Sequence, residues 1–339
     1  MKKVLYATTA LVLTAGVAAA EVRFSGDARM GLNYNSGGTA VAGGHTVRLE
    51  KRFTLNIDGR IETDGGVTLG ARLRIRSDEV NAGNTAGPPG VATGLSGARV
   101  FASFAGLTVA AGNILGAIES MPNLYAPSVG LTGLGWHGIV TNVSAATEGD
   151  RHWAWDSFAS RADGAEGIEV IYSMGAFALH ASYSSDGLRN QLGTGQRTAV
   201  HGAYTFGGWT FAVGYQDATI HLAPDIDSVN ADDKLVATVG GTVGNFNVAL
   251  GYASNGAGAN RIDKFALSGS VTFDALTLTA YVASQNRTPT TALAGFTPKR
   301  ETYGLGAAFA LGGGASFQAG VESTTHGTIR GDAGITFRF

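Results

Sequence analysis

The chain closes on Gly331-Asp332-Ala333-Gly334-Ile335-Thr336-Phe337-Arg338-Phe339. Successive side chains of an extended strand point to opposite sides, so Ala333, Ile335, Phe337 and Phe339 share one face. Asp332, Gly334, Thr336 and Arg338 share the other. A frayed tail has no reason to hold strict alternation up to a terminal aromatic, so the segment reads as a strand paired on both edges. The same pattern recurs near the start, where Val22, Phe24, Gly26, Ala28, Met30 and Leu32 alternate with Arg23, Ser25, Asp27, Arg29 and Asn33. Two strands of one type at opposite ends of a chain can close a sheet on itself.

Between them the alternation is nearly continuous. It runs through Val47–Ile57 and Val67–Ile75, then through short strands at Val100–Phe104 and Leu107–Ala111, with a Gly/Pro/Asn loop expected over Glu79–Gly97. From Ile168 it continues in pairs to the terminus, and the tally is sixteen strands. Turns near Gly106, Gly175, Gly207-Gly208, Gly244-Asn245, Asp274-Ala275 and Gly312–Gly314 are tight, and the intervening connections are long. Short turns on one rim and long loops on the other describe an up-and-down transmembrane barrel. Tyr172, Phe177, Phe206, Trp209, Phe246, Phe273, Phe317 and Phe339 fall beside the short turns. Tyr34, Tyr183, Tyr215, Tyr252 and Tyr303 fall at the long-loop ends, as two interfacial girdles require. A soluble sandwich would bury its apolar faces and has no use for aromatics sorted by rim. The expected fold is therefore all-β, a sixteen-stranded antiparallel transmembrane barrel, apolar outside and polar within.

Residues 1–20 read as a cleaved signal peptide: Lys2 and Lys3, an apolar run from Val4, and Ala18-Ala19-Ala20 before Glu21. The mature barrel then spans 21–339 and is exported through the periplasm to a bacterial outer membrane. Without those two lysines, 22 basic residues face 26 acidic ones, which excludes a polybasic nucleic-acid binder. The absence of cysteine excludes a disulfide scaffold. Glycine, at 51 residues, is about twice its usual share, as close strands and many turns demand. A mean hydropathy of +0.10 suits strands that are each only half apolar.

Alternation vanishes over 113–164, a segment too long for an ordinary connection. Its opening, Gly112-Asn113-Ile114-Leu115-Gly116-Ala117-Ile118-Glu119, is apolar enough to pack inside the barrel. It reads as a third long loop folded into the lumen and narrowing the pore; the alternative is an external plug. Arg72, Arg74 and Arg76 share the lumen face of one strand, and Arg29 and Arg52 point inward from the two before it.

Several stretches carry a resemblance. Glu21–Gly31, Glu62–Val67, Gly112-Asn113 with Gly116-Ala117, Asn123–Tyr125, Ala203–Gly207 and Tyr303–Gly306 together resemble the general diffusion porins of the Rhodobacter, α-proteobacterial type. No single piece is specific, but their order and spacing are. The resemblance implies a sixteen-stranded trimer whose third external loop makes the constriction. It also implies that Arg29, Arg52 and Arg74 line the constriction wall and that Glu119 is one of the acids facing them. Asn123 and Ala126 stand where that family has further acids, which leaves the loop short of the carboxylates a calcium site wants.

The expected site is then a basic wall of Arg29, Arg52, Arg72, Arg74 and Arg76 opposed by Glu119, with weak anion preference. If permeation is governed elsewhere, Glu148, Asp150 and Asp156 later in the loop are the candidates. Partners are further copies of the chain, lipid, lipopolysaccharide, and small hydrophilic solutes and ions, with no nucleic acid. Asp225, Asp227, Asp232 and Asp233 crowd one external loop. They read as a solvated acidic patch bridged to lipopolysaccharide by a divalent cation such as calcium, though the central Gly of an EF-hand is missing. Gly133-x-Gly135-x-x-Gly138 matches a dinucleotide fingerprint, but no strand feeds it and no helix follows. His180 and His201 point inward from neighbouring strands and read as solvated pore histidines rather than a metal pair. No Ser/His/Asp spacing suggests an enzyme, and no cofactor is expected. Two function classes remain: a passive diffusion channel, and a selective anion-binding channel or receptor. Scattered lumen aromatics such as Phe101 and Tyr281 are too few for a sugar ladder.

Overall fold

The computed structural model describes residues 20–40, 46–79, 91–125, 127–135, 166–185, 193–222, 233–255, 261–289 and 295–339. Its strands are β1 (Glu21–Asn35), β2 (Val47–Glu62), β3 (Thr68–Glu79), β4 (Val91–Leu95), β5 (Arg99–Phe104) and β6 (Leu107–Gly112). They continue with β7 (Glu166–Met174), β8 (Phe177–Ser185), β9 (Gly193–Phe206), β10 (Trp209–Leu222), β11 (Lys234–Val243) and β12 (Phe246–Asn255). The last are β13 (Ile262–Phe273), β14 (Leu276–Gln285), β15 (Glu301–Gly312), β16 (Ala315–Ser323) and β17 (Ile329–Arg338). Every ladder is antiparallel. β1 pairs with both β2 and β17, so the sheet is closed.

The wall is sixteen strands wide, because β4 and β5 share one place beside β3. Glu79↔Val91 to Ile75↔Leu95 pairs β3 with β4, and Arg72↔Arg99 to Thr68↔Ser103 pairs it with β5. The break falls at Ser96-Gly97-Ala98, where Ser96 N–H donates to the Arg74 carbonyl and Ser96 Oγ accepts from Arg74 N–H, each at 2.8 Å. This corrects the loop expected over Glu79–Gly97: its last part, Val91–Leu95, is a strand. Gly94 and Thr93 give that stretch little hydropathy contrast, and the strand is held by ladder bonds to β3.

Alternation does set the two faces. Val22, Phe24, Met30, Leu49, Phe53, Val100, Phe177, Val200, Phe211, Leu250, Phe265, Leu305 and Phe317 are exposed on the outer face. Their neighbours Thr54, Asp58, Glu169, His180, His201, Thr238, Ser268, Thr279 and Glu322 are buried on the inner one. An apolar outer face and a polar inner face are the arrangement lipid imposes on a closed sheet.

Two-residue turns join the strands on one rim, except that residues 63–67 link β2 to β3. Phe206↔Trp209 flank Gly207-Gly208, both in the left-handed region at φ 58° and 82°, a conformation glycine adopts without a Cβ penalty. The seam between the ends of the chain lies on this rim too. Gly26 N–H donates to the Phe339 carbonyl at 2.8 Å and Phe339 N–H to the Gly26 carbonyl at 3.1 Å. The Phe339 ring stacks on Phe53 of β2, with centroids 5.8 Å apart. On the opposite rim one connection departs from the expected long-loop rule. Residues 324–328 form a tight turn, in which Thr324 N–H reaches the Thr328 carbonyl at 3.0 Å and the two hydroxyls bond at 2.8 Å.

Candidate functional site

The inner face of β1–β3 is a lattice of charge set by ladder register. Across β1 and β2, Arg29 stands opposite Arg52 and Asp27 opposite Thr54. Across β2 and β3, Asp58 stands opposite Arg72, Asn56 opposite Arg74 and Thr54 opposite Arg76. The five arginines expected to line the wall therefore do share one inner surface. Among the ion pairs of the described residues, Arg29 pairs with Glu50 at 2.5 Å, Arg52 with Asp27 at 3.0 Å and Arg72 with Asp58 at 2.7 Å. The wall is thus less positive than a count of arginines suggests. Its carboxylates Asp27, Glu50 and Asp58 occupy the same inward rows, where the sequence pattern shows only a polar face. Arg99 of β5 extends the surface and is bound to the buried Glu169 of β7 at 2.5 Å.

Of the described part of the long connection, 113–125 and 127–135, the first stretch lies against the inner face of the opposite half of the wall. Ala117, Ile118, Met121 and Leu124 pack on Ala199, Ala203, Ala212, Val236 and Ala253, which are inward residues of β9–β12. Burying an Ile or Leu fully contributes about 1.5–3 kcal/mol relative to exposure, so this apolar strip is a firm anchor. Polar contacts fix its register. Ala117 N–H donates to Ser182 Oγ at 2.9 Å, and Thr238 Oγ1 donates to the Pro122 carbonyl at 2.6 Å. The segment leads on to β15–β17. There Leu131 N–H and Thr132 N–H donate to the two carboxylate oxygens of Asp332 at 2.8 and 2.7 Å, and Thr132 Oγ1 adds a third bond at 2.6 Å. Gly135 N–H donates to Glu322 Oε2 at 2.7 Å. Arg29 Nη1 reaches the Leu131 carbonyl at 3.3 Å, joining the segment to the basic wall.

A floor of small residues permits this approach. Gly306 and Gly320 face each other across β15 and β16. A Cβ built on either would lie 1.6 or 1.7 Å from the Val129 carbonyl oxygen.

The two histidines are not solvated, contrary to the sequence expectation. They are register partners on β8 and β9, 2% and 5% exposed, with ring centroids 5.6 Å apart. The inserted segment covers them: His180 Nδ1 bonds Ser120 Oγ at 2.5 Å and its Nε2 bonds Glu169 Oε2 at 3.0 Å, while His201 Nδ1 donates to the Ala117 carbonyl at 2.5 Å. Nothing in the local sequence signals a cover that arrives from 60 residues away for His180 and 84 for His201.

Glu119 is half-buried on the inserted segment and accepts a hydrogen bond from the Tyr125 hydroxyl. Its neighbours Ile118 and Met121 sit on β9–β12, about half-way round the wall from β2. Tyr281 is buried, bonded to Thr302 Oγ1 at 2.9 Å and Glu322 Oε2 at 2.8 Å. Glu148, Asp150, Asp156, Asp225, Asp227 and Asp232 lie outside the described residues, and Asp233 stands beside the Tyr215 hydroxyl. Among the described residues no group of three His, Asp or Glu side chains is placed to hold a metal ion.

Comparison with known proteins bears on this arrangement. The profile of the Gram-negative porin family matches residues 7–329. A porin of Rhodobacter capsulatus is 29% identical over 342 residues, and a porin of Fuscovulum blasticum 26% over 332; each alignment covers 94% of this chain and the whole of the relative. Solved structures of engineered variants of the Rhodopseudomonas blastica porin superpose with TM-scores of 0.69 and 0.70 at 24% identity, covering 94% of this chain and 100% of theirs. At that identity the superposition speaks for the fold.

Proposed function

Because the chain belongs to the Gram-negative porin family, we propose that small hydrophilic solutes and ions diffuse through it past a constriction made by the inserted segment and a transverse charge field. The protein is an outer-membrane β-barrel and a porin, and sixteen strands enclose a space too wide for side chains alone to fill. The observation that carries the reading is the one-sided course of residues 113–135. Residues 117–124 follow the inner wall over β8–β12, with the charged face of β1–β3 across from them, and residues 129–135 reach β15–β17 beside β1, where Arg29 meets the Leu131 carbonyl. A narrow aqueous gap between low-dielectric walls focuses the field of opposed charges, which orients dipolar solutes and slows apolar ones.

Arg29, Arg52 and Arg72 share their charge with carboxylates, so the anion preference is weak. Reversal potentials in a salt gradient at low ionic strength, where screening is least, test it. The pair Arg72→Ala with Arg74→Ala shifts selectivity toward cations, and Glu119→Gln shifts it toward anions. Strong cation selectivity in the unaltered protein would move the control to Glu148, Asp150 and Asp156.

The same reading includes a cyclic trimer. Lys51 interrupts the outward row of Leu49 and Phe53 and stands beside Met30 of β1. A cationic side chain on a lipid-facing surface costs about 2–4 kcal/mol at mid-depth, which a neighbouring copy over β1 and β2 would avoid. The mass of the gently detergent-extracted complex is expected to be about three chains. A strictly monomeric mass under those conditions removes this part of the reading.

A further inference from the structure

We infer that the short-turn mouth of the barrel carries a binding site for a small oxyanion of the phosphate type, held by Arg23, Arg60 and Arg72. This inference rests on the channel reading; it shares Arg72 with the basic wall but is built on Arg23 and Arg60, which the constriction does not use. Glu21, Arg23 and Ser25 at the start of β1, Asp58 and Arg60 near the end of β2, and Arg72 near the start of β3 line a cavity of about 240 Å³. Ladder register brings them together, with Arg23 opposite Asp58, Asp58 opposite Arg72 and Glu21 opposite Arg60. Three guanidinium groups thus meet two carboxylates, an excess of one positive charge.

Among the described residues, Arg72 alone of the three is ion-paired there. Arg72 donates to Asp58 through Nε at 2.7 Å, and its terminal nitrogens make no hydrogen bond among the described residues. Arg23 and Arg60 have no carboxylate partner among the described residues, although Glu21 lies on the same lining. Arg60 is positioned by an aromatic ring instead. Its guanidinium lies 5.9 Å from the Phe101 centroid, and that of Arg99 lies 5.3 Å from the same ring. Phe101 lies over Gly70, where any Cβ would fall 2.3 Å from the ring, so the platform depends on a missing side chain. A guanidinium braced on an aromatic face keeps its donor fork free for a ligand.

The chemistry selects the ligand. Several guanidinium forks converging on a small space match the paired oxygens of phosphate or a phosphate monoester, by charge-assisted bonds that are short and directional. The Ser25 side chain on the same lining adds a neutral donor. The cavity opens on the inner face, where solutes pass, so a dissolved oxyanion suits it better than a lipid headgroup on the outer face. Short turns mark the periplasmic rim of such barrels, so the ligand meets the site at the exit of the channel.

The test uses the whole protein in planar bilayers, with potassium chloride current as the readout and inorganic phosphate as the probe. Phosphate added on the short-turn side is expected to reduce the current saturably, at lower concentration than from the loop side. Arg23→Ala with Arg60→Ala should raise the half-blocking concentration by roughly tenfold or more, since a hydrogen bond to a charged group contributes about one such factor. Arg23→Lys with Arg60→Lys keeps the charge and loses the fork. If that variant is blocked like the parent, diffuse screening explains the effect and the site does not exist. Equal block from both sides, or none, overturns the inference equally. Arg261→Gln on the opposite rim serves as the control and should change nothing. A protein that fails to conduct would count against the channel reading alone, because phosphorus-31 line broadening on detergent-solubilised protein reports the site independently.

Discussion

Asp332→Ala is expected to raise single-channel conductance and its open-channel noise while leaving the barrel folded. Asp332 is 7% exposed and its carboxylate receives three hydrogen bonds from Leu131 and Thr132. Bonds to a charged acceptor contribute about 1.5–3 kcal/mol each, though not additively. Their loss therefore removes a tether comparable in strength to the apolar anchor of Ile118 and Leu124. The strand itself is held by backbone ladders to β1 and β16, which the substitution does not touch. With that tether gone, the 127–135 part of the segment moves off the wall on the channel's own timescale, and the current records the motion. Asp332→Asn keeps acceptor oxygen but loses the charge, so it should fall between the two. Conductance and noise both unchanged in Asp332→Ala would show that Glu322 and the histidine contacts suffice to hold the segment.

A change on the neighbouring strands should act in the opposite direction. Gly306→Ala with Gly320→Ala places two methyl groups where the Val129 carbonyl now sits, at 1.6 and 1.7 Å. Ordinary contact distances are about 3.5 Å, so the backbone there must retreat by roughly 2 Å. Asp332 still grips residues 131 and 132, so the retreat is into the lumen and conductance falls without added noise. Combining these substitutions with Asp332→Ala should reverse the sign, because a freed segment no longer holds the displaced position. A conductance equal to the parent's in the double glycine variant would place the narrowest point away from Val129.

What could be read in advance follows from how far apart the cooperating residues lie. Strand alternation, two-residue turns and aromatic rims are local, and they are legible wherever apolar and polar residues differ sharply. Val91–Leu95 escaped because its glycine and threonine blur that contrast. The site was legible only in halves. The inward arginines stand out because charge on one strand face is conspicuous, but their partners Asp27, Glu50 and Asp58 lie in rows that read as generic polar lining. The grip of Asp332 on Leu131 joins residues about two hundred positions apart, and no periodicity records such a meeting. His180 and His201 looked solvated for the same reason, since their cover comes from Ala117 and Ser120 on another part of the chain.

The seam at Gly26 and Phe339 has a consequence for how the molecule is made. Its two sides are about three hundred residues apart, and closing so long a loop costs about 5 kcal/mol by the logarithmic scaling of chain entropy. Nothing repays that cost until the final strand is present, because β1 has no second neighbour before then. Until β17 docks, the first strand of the folding sheet is an edge with an unsatisfied row of backbone groups, open to pairing with any other chain. A transcript cut short anywhere before β17 yields a curved sheet with two such edges rather than a smaller channel. Assembly is therefore all-or-none, governed by the last contact to form rather than by the many local hairpins that precede it.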